Sequence, residues 1–210
     1  MPKISFVYFD VGGVAIQDFS DSPKWDTMMQ VMGLDRFDRK TIDEIYNAYE
    51  DEICLGKRHV DTLIPLYREK FNPTIPTDFS MQTYFIDHFD PNRGLWPLVA
   101  HLKEKISVGL LTDQYPGMLA ETRRRGLLPP VDWDIVVDSS VEHVRKPMPE
   151  IYALAEEKAG VPGAEILFID NREKNLVPAR ARGWQTFFYD SKDYEQANRD
   201  LATYLQTRGL

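Results

Sequence analysis

Apolar and polar positions fall into two regimes along this chain. In the first, apolar residues run together in short blocks: Ile4–Phe9, Ser107–Leu111, Ile135–Val137 and Ile166–Ile169, with a fifth, Thr186–Tyr189, after Gly183-Trp184. Unbroken runs of this length predict strands covered on both faces, because a half-exposed strand would alternate. In the second regime apolar residues recur at helical spacing. Trp96, Val99, Ala100 and Leu102 precede the second block, and Ile151, Leu154, Ala155 and Ala159 follow Pro149, with Gly160 ending the helix. Val177, Ala179 and Ala181, stopped by Gly183, predict a small-residue helix packed close to the sheet. Tyr194, Ala197, Leu201, Tyr204 and Leu205 predict an amphipathic closing helix.

From about residue 95 onward strands and helices alternate, which implies a parallel sheet wound on both sides. The interval between the first and second blocks is different. Helical patterns cover Trp25–Met32, Asp35–Leu55, Val60–Phe71 and Asp78–Phe89, and Gly56-Lys57-Arg58 and Asn72–Thr77 read as turns between them. The expected architecture is a Rossmann-like α/β core over residues 1–15 and 91–210, with an all-helical module over 16–90 inserted after the first strand.

Composition narrows the function classes. At 43% hydrophobic and 28% charged the chain is ordinary globular material, and 210 residues are enough for a core without staples. Cys54 is the only cysteine, so no disulfide forms within the chain. The opening apolar run is too short for a signal peptide, and no apolar stretch approaches the roughly 20 residues of a membrane span. A cytoplasmic protein without membrane contact is the expectation. The net charge of −8 opposes binding to nucleic acid, and Arg123-Arg124-Arg125 reads as a solvated helix face. Oligomeric state is not legible.

Ligands of open parallel sheets bind beyond the carboxyl ends of the strands, so the residues that end each strand matter most. They are Asp10 before Gly12-Gly13, then Thr112-Asp113-Gln114, then Lys146-Pro147 in the loop after the third strand, then Asp170-Asn171. Two carboxylates, a hydroxyl and an ammonium on one rim suit displacement at phosphorus. Asp10 can attack a phosphoryl group, and water can hydrolyse the aspartyl phosphate that results. Anion attacking anion needs compensating charge: two unit charges about 4 Å apart interact by roughly 4 kcal/mol at an effective dielectric near 20. Lys146 supplies one positive charge, and Mg²⁺ held by Asp10 and the acid of the fourth loop would supply more. Thr112 and backbone N–H groups around Gly12 and Gly13 can hydrogen-bond phosphoryl oxygens. Asp113 and Gln114 are placed to touch substrate, and Gln17, Asp18 and Phe19 flank the entry to the helical module.

These motifs resemble those of the haloacid dehalogenase superfamily of aspartate-nucleophile hydrolases over essentially the whole chain. The resemblance rests on Phe9-Asp10-Val11-Gly12-Gly13-Val14, Leu110-Leu111-Thr112, Arg145-Lys146-Pro147, and Phe168-Ile169-Asp170-Asn171 with Asn175 and Ala179 behind it. The stretch from Trp133 to Tyr152 is similar to the branch with a helical cap inserted after the first motif. The resemblance implies strand order 5-4-1-2-3, a metal set of Asp10, Gly12, Asp170 and Asn171 holding Mg²⁺, and phosphatase activity on a small phosphorylated metabolite. It also implies that the insert closes over the substrate.

Two positions depart from the family pattern. Gly12 stands where phosphatases carry a leaving-group acid, a group typically worth about 10²- to 10⁴-fold in rate. Asn171 stands where a second acid usually binds Mg²⁺, and an amide oxygen brings no charge. Two alternatives therefore accompany the phosphatase: a catalytically silent relative acting as a binding module, and a metal-free haloacid dehalogenase. The last is disfavoured by Gly12, where a bulky residue is usual, and Asn175, where an Asp is usual. His59, His88, His101 and His143 lack metal-ligand spacing, with only His143 near the rim. Cys54 and the four tryptophans read as packing residues.

Overall fold

The computed structural model describes residues 2–20 and 22–210. Five parallel strands, β1 (Phe6–Phe9), β2 (Ser107–Thr112), β3 (Ile135–Asp138), β4 (Ile166–Asp170) and β5 (Gln185–Phe188), form one sheet in the order β3-β2-β1-β4-β5. This is the order expected from the sequence, read from the opposite edge. The first strand is central, and all residues of β1 and β4 are buried, as their unbroken apolar runs require.

Side chains along β1 divide between two cores. Val7 and Phe9 face a cluster with Val99, Leu102, Leu119 and Leu201, contributed by α5 (Trp96–Lys103), α6 (Met118–Arg124) and α10 (Tyr194–Gln206). Phe6 and Tyr8 face the other way, onto Ile151, Tyr152, Ala155 and Ala179 of α8 (Pro149–Ala159) and α9 (Glu173–Ala181). A one-residue slip of β1 would exchange the two sets, so burial on both faces pins the register. Phe9 pairs with Leu110 on one side and Ile169 on the other, which sets the next residues, Asp10, Leu111 and Asp170, level at the carboxyl rim.

The interval between β1 and β2 forms α1 (Pro23–Val31), α2 (Arg39–Cys54), α3 (Leu63–Phe71) and α4 (Met81–Asp87), before α5 returns the chain to the sheet. These helices share a separate apolar cluster of Trp25, Met28, Met32, Ile53, Tyr67, Met81 and Phe85. The chain leaves and re-enters the sheet side by side: Ile16 bridges Pro91, Gln17 N–H donates to the Asp90 carbonyl at 2.9 Å, and Asn92 N–H donates to the Ala15 carbonyl at 3.0 Å. Among the described residues no helix is long and apolar enough to cross a membrane.

Where elements are shorter than their periodicity suggests, capping chemistry explains it. The pattern from Asp35 becomes a helix only at Arg39, because Asp38 accepts from Thr41 N–H and caps it. Ser80 does the same for α4, delaying its start to Met81. The Val60–Phe71 pattern splits into one 3₁₀ turn, Val60–Thr62, and then α3. Val177 is 53% exposed, so α9 packs through Asn175, Leu176 and Ala179 rather than through its valine. Trp25 and Trp184 are buried, whereas Trp96 and Trp133 are only half-buried.

Candidate active site

Register delivers Asp10 and Asp170 to the rim as neighbours on adjacent strands, and the loop after α7 (Ser139–Glu142) brings Lys146 between them. The Lys146 ammonium lies 2.9 Å from Asp10 Oδ2 and 2.8 Å from Asp170 Oδ2, and all three residues are buried. Burying an ion costs several kcal/mol, so such a cluster persists only when charges alternate and the remaining oxygens are hydrogen-bonded. They are. Asp10 Oδ1 accepts from Val11 N–H at 2.7 Å. Asp170 accepts from Arg172 N–H at 2.7 Å and from Asn175 Nδ2 at 3.0 and 3.1 Å.

Two carboxylates and one ammonium leave a net negative charge in this pocket. Burial, opposed by Lys146 and reinforced by Asp170, pushes the Asp10 carboxyl up to about 7. Burial pulls Lys146 the other way, but the carboxylates of Asp10, Asp170 and Asp113 outweigh it and hold the ammonium above its usual range. Lys146 therefore stays charged and Asp10 is the group that can exchange a proton near neutrality.

A cavity of about 180 Å³ opens above this triad. Of the residues singled out in the sequence, Asp10, Gly12, Asp113, Gln114 and Lys146 line it, and so do Gln17, Asp18 and Phe19 at the entry to the insert. Gly13, Thr112, Asp170 and Asn171 stand behind the wall. Thr112 Oγ1 accepts from Gln114 Nε2 at 3.1 Å, so the hydroxyl orients Gln114. Asp113 Oδ1 accepts from Lys146 N–H at 3.0 Å and thus fixes the loop that carries the ammonium. Gly13 has φ +80°, and a Cβ there would fall 2.0 Å from Asn171 Nδ2. Its absence of a side chain makes room for Asn171 rather than for a ligand.

The insert supplies wall residues that motif reading missed. Tyr46, Glu50 and Cys54 all line the cavity and lie at i, i+4 and i+8 on α2. That spacing is visible in the sequence, and a carboxylate in the middle of an inward stripe is its signal. Cys54 is buried, and burial pushes its thiol up to about 12, so it is not a nucleophile at neutral pH. Arg145, quoted in the sequence only as part of the Lys146 motif, also lines the cavity. Its guanidinium reaches from the Lys146 loop to Asp51 at 2.6 Å and Glu50 at 3.2 Å. Arg172, Lys174 and Asn175 complete the wall from the start of α9. His143 does not line the cavity; its Nδ1 sits 2.9 Å from the Leu55 carbonyl at the end of α2.

A family model for haloacid dehalogenase-like hydrolases matches residues 7–183, a span that includes every strand up to β4 and all three triad residues. The chain belongs to this family. Its solved neighbours agree on the fold. The HAD family enzyme BT-2542 from Bacteroides thetaiotaomicron superposes with a TM-score of 0.76 at 20% identity, covering 91% of this chain and 96% of that one. The same enzyme in complex with magnesium and inorganic phosphate gives a TM-score of 0.72, over 90% and 96% of the two chains. The L-2-haloacid dehalogenase PA0810 gives 0.65 at 19% identity, over 96% and 100%. A search of curated proteins finds no match.

The donors present suit a hard divalent cation in this hydrolase, with one change from the expected set. Asn171 Oδ1 is buried with no hydrogen-bond partner in the protein, an oxygen that such a cation would take. Its amide nitrogen is held 3.4 Å from Asp18 Oδ2 and 3.3 Å from Ser191 Oγ. Asp170, by contrast, spends both oxygens on Lys146, Asn175 and Arg172. Of the two residues at the end of β4, Asn171 therefore has an oxygen to spare for a metal and Asp170 does not. Among the described residues no three His, Cys, Asp or Glu side chains gather into a metal cluster.

Proposed function

We propose that this hydrolase is a Mg²⁺-dependent phosphatase acting on a small phosphorylated metabolite through Asp10. The observation that carries this reading is the triad: a carboxylate that reaches the cavity, held 2.9 Å from an obligately charged ammonium. An Asp10 oxygen attacks phosphorus, the bond to the ester oxygen breaks, and the alcohol leaves; water then attacks the aspartyl phosphate and releases inorganic phosphate. Lys146 offsets the charge of the phosphoryl oxygens throughout. Asp170, held by Asn175, positions Lys146, and Thr112 positions Gln114. Bound at Asp10, the Gly12 carbonyl and Asn171, Mg²⁺ would add Lewis-acid charge. With no acid at position 12 the leaving oxygen takes its proton from water. The neighbour solved with magnesium and inorganic phosphate supports the same assignment.

In this reading residues 16–90 act as a cap on a core of 1–15 and 91–210, because the insert closes the cavity with the α2 stripe. A silent binding module is the second reading, favoured by the missing acid at Gly12 and the uncharged Asn171. A screen of phosphate monoesters with and without Mg²⁺, using Asp10→Asn as the blank, separates the two. Metal-dependent release of phosphate by the native protein alone supports the phosphatase; no release from any ester sinks it.

A further inference from the structure

One wall of the cavity is an unbroken chain of aromatic contacts. Phe89 meets Phe19 at 6.3 Å between ring centroids, Phe19 meets Phe85 at 4.9 Å, and Phe85 meets Tyr115 at 5.9 Å. Tyr115, from the loop after β2, and Tyr46, from α2, join hydroxyl to hydroxyl, and all five rings line the cavity. Trp25 packs behind, edge-on to Tyr46 at 5.2 Å and stacked on Phe85 at 6.0 Å. The wall is therefore continuous and mostly apolar.

Its polarity is countable. Burial holds both tyrosines well above their usual range, so both stay protonated in the working pH range. Two hydroxyls carry two protons, and the bond between them uses one. The other must be satisfied by something in the cavity. Among the described residues neither hydroxyl bonds to Glu50, which accepts from Arg145 at 3.2 Å, or to Asp113, which lies 3.4 Å from Arg145 Nε and accepts from Lys146 N–H.

We infer that the Tyr46–Tyr115 hydroxyl pair and the aromatic wall around it select the leaving group, favouring phosphate esters of compact, largely apolar alcohols with at most one acceptor over polyhydroxylated sugar phosphates. This rests on the phosphatase reading and adds the substrate class. A sugar buries a hydroxyl at nearly every carbon, each needing a partner, and these five rings offer one donor between them. Size points the same way. A cavity of about 150 Å³ accepts benzene, and the 180 Å³ here must also admit the phosphoryl group.

Tyr46 and Tyr115 also come from opposite sides, insert and core, so a ligand bound to the pair touches both. The test compares kcat/KM for glucose 6-phosphate, phenyl phosphate, and C4 to C7 alkyl and aryl phosphates carrying one ether or carbonyl oxygen. Native enzyme and the Tyr46→Phe/Tyr115→Phe double variant are used, since a single change would free the surviving hydroxyl. Native enzyme should prefer phenyl phosphate to glucose 6-phosphate by about tenfold or more. The double variant should lose about 3- to 10-fold more on the best acceptor-bearing ester than on phenyl phosphate. A native preference for the sugar phosphate, or equal loss on both ester types, overturns the inference while leaving the phosphatase standing. If nothing turns over, calorimetric binding of phenylphosphonate against glucose 6-phosphate decides. Tighter phenylphosphonate binding, weakened in neither case by loss of the hydroxyls, keeps the selective wall and discards the chemistry; no preference discards both.

Discussion

At the sheet rim, the Lys146 ammonium sits within 3 Å of both Asp10 and Asp170, which stand at the ends of the two strands β1 and β4 that are buried on both faces. In the same cavity, Tyr46, Glu50 and Cys54 come from one helix of an insert whose apolar cluster takes in Met118 and touches Tyr115, and which is also tied to the core by polar contacts. Ser139 Oγ donates to the Cys54 carbonyl at 2.7 Å, His143 approaches the Leu55 carbonyl, and Arg145 pairs with Asp51 and Glu50. The first two occupy carbonyls at the end of α2 that have no partner within the helix. Gly56 lets the following turn come this close, since a Cβ there would fall 2.0 Å from the Ser140 carbonyl oxygen. The contrast is instructive: strand register locks the reacting groups, while hydrogen bonds at one helix end and packing on Tyr115 and Met118 locate the wall. Chemistry and selectivity are thus held by separable sets of contacts.

The severest test of that separation is Asp10→Asn. It should remove phosphatase turnover altogether while far-ultraviolet circular dichroism stays native, because only the attacking carboxylate is lost. It should also change how stability depends on pH. Burial raises Asp10 from the ordinary carboxylate range to about 7, so folding favours its protonated form. The contribution is full below the unfolded pKa, shrinks as pH rises, and is gone above about 7. Urea unfolding of metal-free protein should show this fall between about pH 4 and 7, and Asp10→Asn should flatten it; parallel curves would refute the assignment.

Lys146→Met strikes the rim from the other side. It leaves two carboxylates buried without their cation, a loss of about 3–5 kcal/mol in unfolding free energy at neutral pH. Recovery in mild acid, as one carboxyl protonates, would mark the loss as electrostatic. A loss equal at all pH values would instead mean ordinary packing.

Position 12 tests whether the rim can be improved without touching the wall. A Cβ at Gly12 meets nothing within 4 Å, and its φ is not in the left-handed region, so an acid fits there. Gly12→Asp with Asn171→Asp should raise turnover of an aryl phosphate toward the roughly 10²-fold lower end for a positioned acid. Asn171→Asp alone carries a cost, since it sets a carboxylate where an amide nitrogen now faces Asp18 at 3.4 Å. Without metal it should melt a few degrees lower, about 1 kcal/mol, and Mg²⁺ should restore it. No Mg²⁺ response would remove Asn171 from the metal set.

The smallest effect should come from the insert's fastening. Ser139→Ala removes one bond to the end of α2 at a cost of about 1 kcal/mol. Cys54 reports it: its thiol, raised to about 12 by burial, should alkylate slowly at pH 8 in native protein and faster in the variant. Unchanged alkylation would mean that the other contacts between insert and core hold it without this bond.

Sheet order, helical insert and the triad residues were all legible in the sequence. Runs such as Ile166–Ile169 became strands buried on both faces, although the run at Thr186–Tyr189 gave an edge strand that is only half-buried, and the carboxyl end of such strands is where polar residues converge. The family motifs carried Asp10, Lys146 and Asp170 to one rim because each is fixed locally, one residue past or at the end of its strand or in the loop that follows. The division of labour among them was not legible. Whether Thr112 faces the ligand or Gln114, and whether Asp170 holds a metal or Lys146, depends on hydrogen bonds between residues far apart in the chain. The Tyr46–Tyr115 pair spans 69 positions and joins insert to core, so no local pattern announces it. Local periodicity and strand-end position decide what the chain can place at the rim. Packing of the insert, through a helix end and one aromatic wall, decides what that rim is allowed to meet.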